Sequence, residues 1–317
     1  LRKLYPTSGV GRAIAVGTVL LSAGAAVAPA ATAAAATGTG TTTRTAASYV
    51  ALGDSYASAP LVPTQVDATC LRSSQNYPSL VASSRSAALT DVSCSGATTA
   101  DLTASQTTGV PAQFDALKRG TDLVTLTIGG NDIGFSTVLG TCAQLTSADP
   151  TGTPCQTHYA GTGTGTGAGT GAAQDQISDA IDQTATRIAK ALRGIHRLAP
   201  HAKVVVVGYP DLFPDDGVGC TSKTVPLAMG DFPWLRDKEK ELNAMLARQA
   251  RKNGARYVDT YAATVGHDLC KPTGERWIET FAPETPAAPV HPNATGENAM
   301  ATAVEKSLGR HTSHPEH

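Results

Sequence analysis

Two short β-branched runs restrict the possible folds of this chain more than any other feature. Residues 122–128 (Asp-Leu-Val-Thr-Leu-Thr-Ile) and 203–207 (Lys-Val-Val-Val-Val) carry apolar or β-branched side chains at odd and even positions alike. A strand with one wet face alternates apolar with polar, so strands without that alternation are covered on both faces, as in a parallel sheet between two helical layers. Three further strand patterns lie at 48–52, 87–92 and 256–258, and helical patterns stand between and after them. Residues 76–84 suit a short helix. From 174 to 198, Ile177, Ile181, Ile188, Leu192 and Ile195 recur at helical spacing, with Pro200 beyond the end. Residues 235–252 place Leu242, Met245 and Leu246 on one side, and 294–308 is a last helix-like stretch. Strand and helix in alternation predict one α/β domain, a doubly wound parallel sheet of about five strands flanked by helices in three layers.

The rest of the chain differs in composition. Arg2, Lys3 and Arg12 precede the apolar run 13–21, and overlapping Ala-x-Ala sites follow between Ala28 and Ala36, the layout of a secretory signal peptide over 1–36. The short apolar run and Pro29 argue against a retained membrane anchor. Residues 37–47 read as a flexible lead-in, 48–310 as the domain, and the His-containing 311–317 as a frayed tail rather than a metal site. The Gly/Thr-rich segment 160–173 has too little apolar surface to pack and predicts a mobile loop. No strand leads into it, which argues against a dinucleotide site. A net charge of −1, with 16% of residues charged and no basic stripe, argues against nucleic acid as a partner. Cys70, Cys94, Cys142, Cys155, Cys220 and Cys270 are even in number and lack Cys-x-x-Cys spacing, so three disulfides are expected rather than a zinc site. Of the fifteen possible pairings, sequence order staples each loop excursion without crossing the sheet.

Three strand ends carry residues suited to chemistry. Ser55, in Gly53-Asp54-Ser55-Tyr56, follows the first strand; Gly96, in Cys94-Ser95-Gly96, follows the second; Asn131, in Gly129-Gly130-Asn131-Asp132, follows the third. In a parallel sheet these C-terminal ends share one edge, where a helix N-terminus also favours negative charge. The backbone N–H groups of Ser55 and Gly96 and the side-chain amide of Asn131 would therefore converge on one oxyanion. Each feature has a plain structural alternative when seen alone: a helix cap for Asp54 or Ser55, a tight turn for the glycines, an Asx-turn for Asn131. A serine needs a base, and His291, in His291-Pro292-Asn293 ahead of the last helix, is placed late enough to fold back over the strand ends. His158, His196, His201 and His267 lack that setting.

These four blocks, in this order, resemble the SGNH or GDSL-type hydrolase family: Ser55 in Gly-Asp-Ser, Gly96 in Cys94-Ser95-Gly96-Ala97-Thr98, Asn131 in Gly-Asn-Asp and His291 in His-Pro-Asn. The resemblance implies a flavodoxin-like sheet, an esterase or lipase with no cofactor and no metal, and Ser55 and His291 as nucleophile and base. Six cysteines and a signal peptide make the chain most similar to the secreted bacterial branch with three disulfides, expected to act as an extracellular monomer touching a lipid surface only transiently. The chain departs from the family at Ala288, where an aspartate often stands three residues before the histidine. A main-chain carbonyl near Ala288 or Pro289 is expected to hold the imidazole instead, with Glu284 as the rival support. A carbohydrate acetyl esterase and a secreted binding module are the alternative functions.

Overall fold

The computed structural model describes residues 46–160 and 175–309. The expected signal peptide, the lead-in up to residue 45, the Gly/Thr-rich loop beyond Ala160 and the tail lie outside the described residues. In chain order the elements are β1 (Ser48–Gly53), the single turn α1 (Ser55–Ser58), a hairpin of β2 (Gln65–Asp67) and β3 (Arg72–Ser73), α2 (Tyr77–Arg85), β4 (Ala88–Asp91), β5 (Leu123–Thr127), α3 (Phe135–Thr146), α4 (Pro154–Ala160), α5 (Gln176–Leu198), β6 (Lys203–Val207), α6 (Phe232–Lys252), β7 (Arg256–Val258), α7 (Thr260–Thr264) and α8 (Ala294–Leu308). The main sheet has five strands in the order β4-β1-β5-β6-β7, every neighbour parallel. Its order reverses at β1, and the crevice beyond the carboxyl ends of β1 and β5 is where such a sheet binds ligands.

The two faces of the sheet explain the unbroken apolar runs. Val50, Leu52, Val124, Leu126, Val204 and Val206 pack with Ile181, Ile188, Leu192 and Ile195 of α5 and Leu242, Met245 and Leu246 of α6. The alternate residues Tyr49, Ala51, Leu123, Val205 and Val207 pack with Val81 of α2 and Met300 and Val304 of α8. Two hydroxyl pairs lie within this second layer, Tyr49 with Thr125 at 2.8 Å and Tyr77 with Thr127 at 2.9 Å. They satisfy the threonines that interrupt β5.

Local chemistry sets the helix starts. Asp175 caps α5, accepting from the N–H groups of Ile177 and Ser178 at 3.0 and 3.1 Å, and Asn76 caps α2 through the Ser79 N–H at 3.0 Å. α6 begins earlier than its periodicity indicates, at Phe232, because Pro233 fits the first turn and Phe232 itself is fully buried. α3 and α4 left no helical signal in the sequence: α3 follows Gly134, which offers no side-chain cap, and burial of Val138, Leu139 and Cys142 fixes it. The disulfides join Cys70 to Cys94, Cys142 to Cys155 and Cys220 to Cys270, which is sequence order. The second of them ties α3 to α4. Among the described residues no helix is long and apolar enough to cross a membrane.

Candidate active site

Ser55 stands just past β1, at the point where the sheet order reverses. Gly53 ends the strand with φ 151°, and a Cβ there would lie 2.5 Å from the Thr127 carbonyl oxygen, so glycine is required for β1 to close against β5. Gln113 clamps the same residue: its Oε1 accepts the Gly53 N–H at 2.8 Å and its Nε2 donates to the Gly53 carbonyl at 2.9 Å. Asp54 then caps α1, accepting the Tyr56 N–H at 2.9 Å. α1 is a single turn, too short to carry the dipole of a full helix. What it offers is the Ser55 N–H, which finds no acceptor among the described residues.

His291 reaches Ser55 across most of the domain. Its Nε2 lies 2.8 Å from Ser55 Oγ, and its Nδ1 lies 2.7 Å from the Pro289 carbonyl oxygen. A carbonyl can only accept, so Nδ1 carries the proton and Nε2 turns its lone pair to the serine. The Ala288 carbonyl is not the partner of Nδ1. It accepts the backbone N–H of His291 at 3.2 Å and is consumed in closing the turn, so of the two carbonyls expected, Ala288 or Pro289, it is Pro289 that faces Nδ1. Glu284 is not the support either: its carboxylate is held by the Thr273 hydroxyl and by Arg276 at 3.1 Å. Burial draws the imidazole pKa below its ordinary value, against the opposing pull of the Pro289 bond, and so favours the neutral ring.

The loop presenting His291 is strained and held from two sides. Val290 has φ 59°, a left-handed conformation that costs a β-branched residue on the order of 1–3 kcal/mol. The Tyr56 hydroxyl donates to the Val290 carbonyl at 2.7 Å, and the Tyr56 ring stacks on the imidazole with centroids 4.7 Å apart. On the other side the Glu279 N–H donates to the His291 carbonyl at 2.9 Å. The buried Glu279 carboxylate pairs with Arg276 at 3.1 Å and accepts from Asn293 Nδ2 at 3.0 Å and the Thr285 hydroxyl at 2.6 Å. Asn293 also caps α8, so the residue two beyond His291 fixes both the helix and the loop.

The Gly96 and Asn131 loops meet beside Ser55. The Cys94 N–H donates to the Gly53 carbonyl at 3.0 Å, placing Gly96 (φ 80°) next to the end of β1. The Gly96 N–H has no acceptor among the described residues. Asn131 Nδ2 donates to the Ala97 carbonyl at 2.9 Å and keeps its second hydrogen. Tyr209 is among the residues that sequence reasoning missed. Its hydroxyl accepts the Gly130 N–H at 2.8 Å and donates to Asp54 Oδ2 at 2.5 Å, joining the turn before Asn131 to the cap of Ser55. Its position just beyond β6, on the same sheet edge as the other three ends, was the available signal. Burial raises the Asp54 carboxyl to about 7. The other histidines among the described residues lie elsewhere: His196 bonds the Asn253 carbonyl, His267 stacks on Trp277, His158 packs on Tyr159, and His201 is exposed.

A cavity of about 360 Å³ opens beside these groups, bordered by Ser55, Asn131 and His291. Its walls are apolar, with Phe135 and Leu139 from α3, Ile177 from α5, and Trp234 and Leu242 from α6. Apolar walls with a few converging polar groups are what a ligand with a hydrocarbon part requires. A serine paired to an imidazole, free N–H donors beside it and this cavity suit acyl transfer to and from an oxygen.

Comparison with known proteins agrees with that chemistry. The model of the GDSL-like lipase/acylhydrolase family matches residues 51–299. The chain belongs to this family. It is 42% identical over 269 residues to Lipase 2 of Streptomyces coelicolor, covering 82% of this chain and 85% of the relative. Among solved structures it is similar to an extracellular lipase from Streptomyces rimosus (30% identity, TM-score 0.66) and to phospholipase A1 from Streptomyces albidoflavus (29%, 0.66), each time over 83% of this chain and 100% of the other. This GDSL-like protein is a carboxylic ester hydrolase on a five-stranded α/β fold.

Proposed function

We propose that this ester hydrolase is a secreted lipase or esterase that works through an acyl-enzyme on Ser55, with His291 as base, the Pro289 carbonyl holding the imidazole, and Ser55 N–H, Gly96 N–H and Asn131 Nδ2 as oxyanion donors. The observation that carries this reading is the 2.8 Å contact of His291 Nε2 with Ser55 Oγ, made with Nδ1 anchored on Pro289. His291 takes the hydroxyl proton as Oγ attacks the ester carbonyl, and the carbonyl oxygen gathers negative charge among the three donors. The ester C–O bond then breaks and the leaving alcohol takes the proton from His291. Water, deprotonated by His291, attacks the acyl carbon, and the released serine oxygen recovers that proton.

An acetyl group would leave most of the 360 Å³ apolar cavity empty, so longer acyl chains are preferred over the acetyl groups of a carbohydrate substrate. Three disulfides fit an oxidising, extracellular setting, as does the signal-like start of the sequence. The test is hydrolysis of p-nitrophenyl esters from acetyl to long acyl chains by the protein and its Ser55→Ala variant. Activity that peaks beyond acetyl and vanishes in the variant is expected. A variant that keeps its rate removes Ser55 from the chemistry, and an acetyl optimum transfers the assignment to an acetyl esterase.

A further inference from the structure

Asn131 borders two spaces. Besides the apolar cavity, it lines a groove of about 540 Å³ that runs between the segment Thr98–Ala104 and one face of α5. Arg187, Lys190, Ala191, Gly194 and Arg197 line the groove from α5, at spacings that keep them on one side of the helix. Of its other lining residues, Asp132 alone is charged, and its carboxylate is already engaged by the Thr99 N–H at 2.9 Å, the Thr99 hydroxyl and Arg187 at 3.5 Å. Asp101 turns back onto Thr98, accepting its N–H at 2.7 Å and its hydroxyl at 2.8 Å. Lys190 and Arg197 have no carboxylate within ion-pair distance among the described residues.

The groove is tied to the reaction centre at both walls. Phe114, on its floor, packs so closely on Gly194 that a Cβ there would lie 2.6 Å from the ring, and the adjacent Gln113 is the residue that clamps Gly53. Asp132, which holds Thr99, is the immediate neighbour of Asn131. An ester whose carbonyl oxygen rests at Asn131 with its acyl chain in the apolar cavity therefore has this cationic groove as the second space bordering the same residue.

Building on the ester-hydrolase reading above, we propose that the groove receives the phosphate of a glycerophospholipid, with Lys190 and Arg197 as the residues that favour a phosphate-bearing leaving group over an uncharged one. Fixed cations in a groove next to the site act on an anionic substrate mainly through binding and encounter, and salt screens them. Arg187 is already committed to Asp132, which leaves the outer two cations to meet the ligand.

The experiment compares kcat/KM for dihexanoylphosphatidylglycerol and for dihexanoylglycerol, both as monomers below their micelle concentrations, so that attraction to an anionic lipid surface plays no part. The phospholipid is expected to be preferred at low salt. The ratio of the two values should fall about fivefold to tenfold in a Lys190→Gln/Arg197→Gln variant, through KM rather than kcat. Sodium chloride should lower the wild-type ratio in the same direction, a measurement that needs no variant. Lys306→Gln, a cation removed on α8, should leave the ratio where it is. A ratio unmoved by the double substitution and by salt overturns the proposal. So does a wild-type enzyme that cleaves the neutral diester at least as well as the phospholipid, which leaves the esterase reading standing. Failure to cleave either ester brings down both.

Discussion

Asn131 has two hydrogens on one amide nitrogen, and the fold uses only one of them. The bond to the Ala97 carbonyl fixes the side chain, and the second hydrogen is the one the proposed function gives to the developing oxyanion. Asn131→Ala should lower kcat on the order of 10²–10³-fold with KM little changed, measured on a p-nitrophenyl ester. A kcat within a fewfold of wild type would reduce Asn131 to a tether for the Ala97 loop. At this scale the sequence marked candidates where a residue type is chemically scarce in its role: Ser55 and Asn131 stand in short blocks at strand ends, and His291 in a block just ahead of the last helix. It was less legible for support by the backbone. Ala288 and Pro289 both offer a carbonyl, and only the closing of the turn through the His291 N–H decides that Pro289 is left for Nδ1. Tyr56, Gln113 and Tyr209 were hidden for the same reason, since their partners are backbone groups or residues remote in sequence.

The segment from Cys70 to Cys94, which runs through β3, α2 and β4, leads into the Gly96 loop that the proposed function gives to the oxyanion. Its ends are joined by the Cys70–Cys94 disulfide, which closes a loop with a sequence separation of 24 residues, and Cys94 also donates to the end of β1. Removing the link frees the unfolded chain, for which a loop of this size implies about 3 kcal/mol. Cys70→Ser/Cys94→Ser should therefore lose about 3 kcal/mol in urea unfolding, and its kcat should fall as the Gly96 N–H loses its fixed position. Unchanged stability and kcat would mean that the hydrogen bonds of the loop suffice without the bridge. α5 was readable because its apolar pattern repeats along the whole helix, and β6 because consecutive valines mark a strand covered on both faces. α3, α4 and the β2–β3 hairpin were not. They are short and their apolar residues show no sustained repeat, so packing or a disulfide rather than propensity sets their conformation.

For the molecule as a whole, buried carboxyls set the response to pH. Burial raises Asp54 to about 7 and Asp211 to about 6, and moves Glu239 and Glu297 the same way. A carboxyl whose folded pKa is raised contributes stability that is complete below its ordinary value and lost as pH climbs through the folded one. Glu279 has the opposite sign: burial pushes it up, but bonds from Asn293, Thr285, the Glu284 N–H and Arg276 outweigh that and hold it at about 2, so its contribution is complete above the ordinary glutamate value and is lost as pH falls from there through about 2. For Asp54 the window reaches up through about pH 7. Asp54→Asn should make the fall of the thermal midpoint between pH 6 and 8 shallower than in the wild type, whatever it does to the absolute midpoint. Equal slopes would show that Asp54 does not titrate there.

The sequence by itself determined the layered α/β architecture, because strands apolar on both faces can be buried only between helices, and it marked the residues able to do acyl-transfer chemistry. The tertiary structure alone decided how those residues meet. Parallel strand order β4-β1-β5 brings Ser55, Gly96 and Asn131 to one edge, and a strained turn at Val290 aims His291 at Ser55. It also opens an apolar cavity and a cationic groove on either side of Asn131. Those relations join positions far apart in the chain through backbone bonds and packing, which local sequence patterns do not encode.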